Sequence, residues 1–305
     1  MDGMFDVGHK VETYRIAKAQ AILKVKPETI SLIKEGKTPK GDIFETAKVS
    51  GTLGAKKTSD LLPYCHPLPI DNVTIDVSLN QDSIEIIAET ETVWKTGVEM
   101  ESLTAVSVAA LSIYDMLKPI DDSLVIESIK LLNKKGGKSD FQQKFDKRLK
   151  AAILVTSDSI SSGKKSDQSG KIIAEKLKKL EIDVIVSKII PDEVNQIESS
   201  LKEFCDEQKI DLVLTCGGTG VGSKDVTPEA TIKVLEKQVT GIAEMLRNYG
   251  QQRIPFSMLS RGLAGIRGKS IIVNLPGSTG SVTDAMDSLF PGILHIFKML
   301  EDEGH

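Results

Sequence analysis

Four short apolar runs in the second half of the chain, AAILVTSD, DVIVSKIIPD, DLVLTCGGTG and SIIVNLPGS, do most to limit what it can fold into. Each ends in a polar or glycine-rich loop, and helical stretches such as GKIIAEKLKKLE and VNQIESSLKEFCDEQ alternate with them. Strand and helix in alternation predict an α/β domain with a mainly parallel sheet. Ligands of such sheets sit beyond the carboxyl ends of the strands, so the loops that close these runs are the first places to look for chemistry.

The first half reads differently. NVTIDVSL and SIEIIAETETVW alternate like antiparallel strands, and GVEMESLTAVSVAALSIYDMLK has the length and spacing of one long helix, an order that predicts α+β. Between the halves, QQKFDKRLK is polar and basic with no apolar period. The reading is a first domain over residues 1–141, a linker over 142–150 whose lysines are solvated, and a second domain over 151–305. At 305 residues the chain is long enough for two cores. The net charge of -4 offers no general field for nucleic acid. The longest nearly apolar run, AVSVAALSIY, is too short to span a bilayer, and the amino terminus has no signal-peptide core, so a cytoplasmic protein with neither nucleic-acid nor membrane partners is expected. Three scattered cysteines with no C-x-x-C argue against a disulfide scaffold or a zinc or iron–sulfur site.

Two constellations carry candidate chemistry. In the first half, LPYCHPL places Tyr64, Cys65 and His66 between prolines. Metal ligand, nucleophile, substrate clamp and structural turn are all open readings, although one Cys and one His fall short of zinc's usual four ligands. Asp115 and Lys118 lie three apart on the long helix, suited either to sharing a proton or to a surface ion pair. Glu101 and Asp115 lie near one face of that helix but roughly 21 Å apart along its axis. One small substrate does not reach both, so if both serve chemistry the site is shared between subunits of a homo-oligomer.

KGDIFETAKVSG, LPYCHPL, KTGVEMESLTAVSVAALSIYDMLK and LLNKKGGKSDF together, in this order, resemble cyclic pyranopterin monophosphate synthase of molybdenum-cofactor biosynthesis. The resemblance implies a ferredoxin-like subunit, a hexamer built from dimers with sites at the dimer interfaces, and no tightly bound cofactor. It implies conversion of 3',8-cyclo-7,8-dihydro-GTP into cyclic pyranopterin monophosphate with release of pyrophosphate. By that resemblance Asp115 is the general acid/base with Lys118 beside it. Lys40 and Lys134 are the other matching lysines, and Tyr64, Cys65, His66, Glu99, Met100 and Glu101 line the substrate site, with Cys65 a bystander. GGKSDF is a departure, being one glycine short of the commoner form.

In the second half, Gly217, Gly218, Gly220 and Gly222 form a glycine-rich turn after a strand, and Thr227–Pro228 reads as a helix start with Thr227 as N-cap. Phosphate cradle and tight turn are both open; the spacing fits neither a Walker loop nor G-x-G-x-x-G. Asp225, which follows that loop, and Asp192, at the end of another candidate strand, read either as two surface aspartates at loop starts or as a pair suited to Mg²⁺ with nucleotide phosphates. SDSISSGKKSDQSG, IIPDE, TCGGTGVGSKDVTPEAT and NLPGSTGS resemble the molybdopterin adenylyltransferase family. The resemblance implies transfer of an adenylyl group from Mg-ATP to molybdopterin. It makes Asp192 and Asp225 catalytic and metal-associated, Gly217, Gly218, Thr219 and Gly220 the ligand loop, and Asp158, Ser162 and Gly163 part of the first strand's loop. Lys224, where arginine is common, and the form of NLPGSTGS depart from the pattern. The competing reading makes the second half a non-catalytic pterin-binding or assembly module.

Overall fold

The computed structural model describes residues 3–301. It divides into two compact units, the first ending at Asp140 and the second starting at Phe141.

The first unit is built on a four-stranded sheet: β1 (Thr13–Lys24), β2 (Asn72–Leu79), β3 (Ser83–Trp94) and β4 (Val125–Gly136), in the order β2-β3-β1-β4. All three pairings are antiparallel, and helices follow β1 and β3, which is the ferredoxin-like α+β arrangement. In β1 every second residue (Ala17, Ala19, Ala21, Leu23) is fully buried, because a pleated strand presents alternate side chains to one face. Small residues there let the long helix Glu99–Leu117 lie close, and its Ala105, Val106, Ala109, Ala110 and Ile113 complete the core. That helix is apolar and long enough to cross a membrane by length and composition alone, but here it is the core helix of this unit.

The helix Ile43–Lys56 packs on the long helix through Gly51 and Gly54. A Cβ at Gly51 would stand 3.0 Å from the Ala105 carbonyl, and one at Gly54 2.9 Å from Val108 Cβ. The close crossing runs the shorter helix back along the longer, so Lys40, just before its start, lands by Asp115, and the Tyr64–His66 loop, beyond its end, returns toward Glu101.

The second unit carries β5 (Lys150–Thr156), β6 (Asp183–Ile190), β7 (Leu212–Cys216), β8 (Lys237–Gln238), β9 (Ala264–Arg267) and β10 (Ser270–Leu275), in the order β6-β5-β7-β10-β9-β8. β6, β5, β7 and β10 are parallel; β9 and β8 add an antiparallel edge. Cores lie on both faces, one centred on Ile153, Leu214 and Val273, the other on Leu154, Val213 and Ile272. Successive residues of β5, β7 and β10 feed opposite cores, hence their unbroken apolar runs, whereas the edge strand β6 leaves Ile185 and Ile189 exposed.

Two local expectations need correction. Residues 142–150 are not wholly a solvated connector: Phe145 and Leu149 pack on the core centred on Ile153, with Phe145 edge-on to Phe297 at 6.2 Å between ring centroids. The apolar pair is too sparse to register as a period. Thr227 is not an N-cap either. The helix is Thr227–Ile232 with Val226 at the cap position, and the Thr227 hydroxyl instead donates to the Gly217 carbonyl at 2.9 Å. The glycine loop needs that donor more than a helix with its own proline does.

Candidate active sites

In the first unit the sequence candidates fall into two groups at opposite ends of the long helix. At its carboxyl end Asp115 sits between two ammoniums, Lys40 Nζ at 2.6 Å from Oδ2 and Lys118 Nζ at 2.6 Å from Oδ1. Their bonds, that of Lys118 first, hold the Asp115 carboxyl down at about 2, and the Lys118 ammonium is correspondingly raised. Asp115 is therefore ionised at neutral pH, and all three side chains are exposed enough to meet a ligand.

At the amino end lie Glu99, Met100 and Glu101. Glu99 accepts from Lys134 Nζ at 2.7 Å. Burial pushes Glu99 upward, but the Lys134 bond and the charges of Lys134 and Arg15 outweigh it, so its carboxyl is lowered. Glu101 is the opposite case. It is 2 % exposed, Oε2 has no hydrogen-bond partner, and the Cys65 thiol donates to Oε1 at 3.8 Å. Burial pushes this carboxyl up to about 7. Cys65, expected to be a bystander, is thus the side-chain partner of a buried carboxyl. Its thiol is raised by burial and by the Glu101 charge, which disfavours the thiolate a nucleophile needs. Tyr64 is 72 % exposed, Met100 is exposed and His66 half-buried.

Arg15 was missed by the sequence reading. It continues the inward face of β1 beyond Ala17, donates to the Trp94 and Lys95 carbonyls at 3.4 Å each, and lies so near Gly137 that a Cβ there would stand 2.1 Å from its guanidinium. The signal was available: Arg15 keeps the two-residue register of the buried alanines.

Glu101 carries a pH prediction. A carboxyl near 7 in the fold and about 4.3 when unfolded binds more protons folded than unfolded between those values. Stability therefore falls as pH rises from about 4.3 to 7 and stays reduced above. Glu101→Gln is expected to stabilise the first unit at pH 8 by about 1–3 kcal/mol, and by far less at pH 5. Urea unfolding at the two pH values measures this; an equal effect at both would refute it.

In the second unit the candidates gather at the carboxyl ends of β5, β6 and β7. Asp158 and Asp192 are cross-linked: Asp158 N donates to Asp192 Oδ2 at 3.0 Å, and Asp192 N to Asp158 Oδ1 at 3.2 Å. Lys224 pairs with Asp158 and lowers its carboxyl. Asp192 is raised, by burial first and then by the charges of Asp158 and Asp225, and its buried Oδ1 has no partner.

Gly217 (φ +105°) and Gly218 (φ +62°) adopt conformations that glycine alone takes without strain. A Cβ at Gly218 would stand 2.4 Å from Thr227 Oγ1 and 3.3 Å from Asp192 Oδ1, so the loop backbone lies directly over the unpartnered carboxylate oxygen. Asp225 Oδ2 accepts from Gly222 N at 2.8 Å. Gly218, Thr219, Gly220 and Asp225 line a cavity of about 450 Å³ together with Arg247, Asn274 and Ser278. Asp158, Ser162, Gly163, Asp192 and Gly217 do not line it: Ser162 donates to the Asp158 carbonyl at 2.7 Å, Gly163 (φ +74°) turns the chain, and Asp192 Oδ1 lies buried beneath Gly218.

Arg261 was missed as well. Its Nε donates to the Gly220 carbonyl at 2.6 Å, its guanidinium also reaches the Asp225 carbonyl and Glu229, and it thereby ties the loop to the helix after it. It comes from a segment without periodicity, so no local pattern marks it.

Residues 4–137 match the MoaC family and residues 152–295 a probable molybdopterin binding domain. The chain is 40% identical over 302 residues to a molybdenum cofactor biosynthesis bifunctional protein of Chlorobaculum tepidum, covering 99% of this chain and 96% of that one. It is 36% identical over 315 residues to a protein of the same name from Synechococcus elongatus, covering 99% and 98%. The first half alone is 52% identical over 141 residues to a cyclic pyranopterin monophosphate synthase of Aquifex aeolicus, covering 46% of this chain and 56% of that one. With both domains matched in one chain and nearly full-length relatives at such identity, the chain belongs to the family of molybdenum cofactor biosynthesis bifunctional proteins, with a cyclic pyranopterin monophosphate synthase domain followed by a molybdopterin-binding-type domain.

Proposed function

We propose that the first domain converts 3',8-cyclo-7,8-dihydro-GTP into cyclic pyranopterin monophosphate with release of pyrophosphate, at a site completed by two copies of the chain, in the cytoplasm. The second domain, in the same proposal, transfers an adenylyl group from Mg-ATP to molybdopterin. The observation that carries the first reading is the separation of two incomplete groups along one helix. Lys40, Asp115 and Lys118 offer proton transfer and cationic charge; Glu99, Glu101, Cys65 and Lys134 offer a second polar group. From Glu101 to Asp115 the helix rises roughly 21 Å, more than one nucleotide-derived ring system spans. A substrate phosphate drawing Lys40 and Lys118 toward itself would weaken their hold on Asp115 and restore its basicity at the moment a proton must move.

Mixing subunits tests this. Asp115→Asn and Glu101→Gln variants are each expected to be nearly inactive. Co-expressed in one oligomer, they are expected to recover a substantial fraction of wild-type product formation, because some interfaces then hold one intact group of each kind. Absence of recovery in verified mixed oligomers would sink the shared site.

For the second domain, Mg²⁺ would be held by Asp192 and Asp225 together with ligand phosphates, and when bound it would neutralise phosphate charge. The unpartnered Asp192 Oδ1 beneath the glycine loop fits that role. Among the described residues no group of three or more His, Cys, Asp or Glu side chains is placed to hold a metal, so the remaining ligands would be phosphate and water, as this ion prefers. The protein's own contribution is the glycine loop beside Asp225, the Arg261 tie that holds it, and the cavity that accepts the rest of the ligand.

A further inference from the structure

We propose that the second domain carries another anion site, for a compact ligand bearing a diphosphate or triphosphate group, at the amino-terminal edge of its sheet. A concavity of about 520 Å³ opens there, walled by residues 144–150, by Lys209 and Asp211 just before β7, and by Lys298 and Glu301 at the carboxyl end of the described chain. Six basic and three acidic side chains line it, in a chain whose overall charge is -4. Arg148 is paired with Asp183 at 3.2 Å, and Asp211 accepts from the Lys150 backbone at 2.7 Å. Lys144, Lys147, Lys150, Lys209 and Lys298 have no salt-bridge partner among the described residues. Like charges converging on one concave surface repel one another, and a multivalent anion relieves that repulsion.

Packing holds the arrangement in place. Phe145 lies against Phe297, which pins the lysine-bearing segment between Lys144 and Lys147 to the helix that carries Lys298. Lys209 has φ +50°, a conformation a lysine seldom adopts, at the turn that delivers it to this rim. The site is separate from the glycine-loop cavity. β5 runs from Lys150 here to Thr156 beside that loop, and seven strand residues at about 3.3 Å each put roughly 20 Å between them.

The test is lysine acylation of the full chain followed by peptide mass spectrometry, with inorganic pyrophosphate, with ATP, or with neither. Pyrophosphate is expected to slow modification of Lys144, Lys147 and Lys298, and the protection is expected to weaken as salt rises. The same protection by ATP would assign the recognised group as a nucleotide's phosphate tail, and protection by pyrophosphate alone would assign the free anion; both support the site. Protection should persist in Asp192→Asn, which alters only the glycine-loop end. Lys144→Ala/Lys147→Ala is expected to weaken the protection of Lys298 on the order of tenfold. No protection by either anion, or protection of Lys298 unchanged in the double variant, would overturn the proposal.

Discussion

Replacing Asp115 with asparagine is expected to cut formation of cyclic pyranopterin monophosphate by about 10²–10⁴-fold while leaving the fold intact. Asparagine keeps the size and one acceptor oxygen but can neither take up a proton nor neutralise Lys40 and Lys118. Stability should change little, because Asp115 and both its partners are well exposed and solvent screens such pairs. Product and pyrophosphate are measured together on the purified oligomer. Turnover within about twofold of wild type would remove Asp115 from the chemistry and leave the Lys40–Asp115–Lys118 group a surface ion-pair network.

The second large effect is expected from Asp192→Asn. The amide would keep an acceptor for the Asp158 backbone N–H, but the unpartnered, buried carboxylate oxygen would lose its charge. The charge removed is one that burial, Asp158 and Asp225 all disfavour, so the folded state at neutral pH should gain stability. Adenylylation of molybdopterin with Mg-ATP should nevertheless fall by about 10²–10³-fold, since a charged oxygen aimed at the glycine loop is lost. Gain in stability with loss of activity is the signature of a strained functional carboxylate. Wild-type protein that binds pterin but forms no adenylylated product would instead make this half a binding module, and the stability gain in Asp192→Asn would remain.

Features that depend on neighbours along the chain were legible. The apolar rhythm of β5, β7 and β10 marked the parallel sheet, because a strand's burial on both faces is written into its own consecutive residues. The three-residue spacing of Asp115 and Lys118 placed them on one helical face, and the fourteen-residue spacing of Glu101 and Asp115 required two separated groups, since helical rise is fixed by backbone geometry. The glycines of TCGGTG announced a turn without side chains, as the left-handed conformations at Gly217 and Gly218 require.

Features set by distant partners were not legible. The desolvation of Glu101, its bond from Cys65 and the inward reach of Arg15 depend on how β1 and the long helix pack, so no local pattern could raise Glu101 above Glu99 in importance. Arg261 reaches Gly220, forty-one residues earlier in sequence, and Thr227 gives up helix capping for a carbonyl ten residues away. Sequence determined which residues are available and which elements carry them, because backbone propensity and periodicity are local. Tertiary structure alone decided which carboxylates lose water and which cations meet them, because burial and charge pairing are properties of the folded surface.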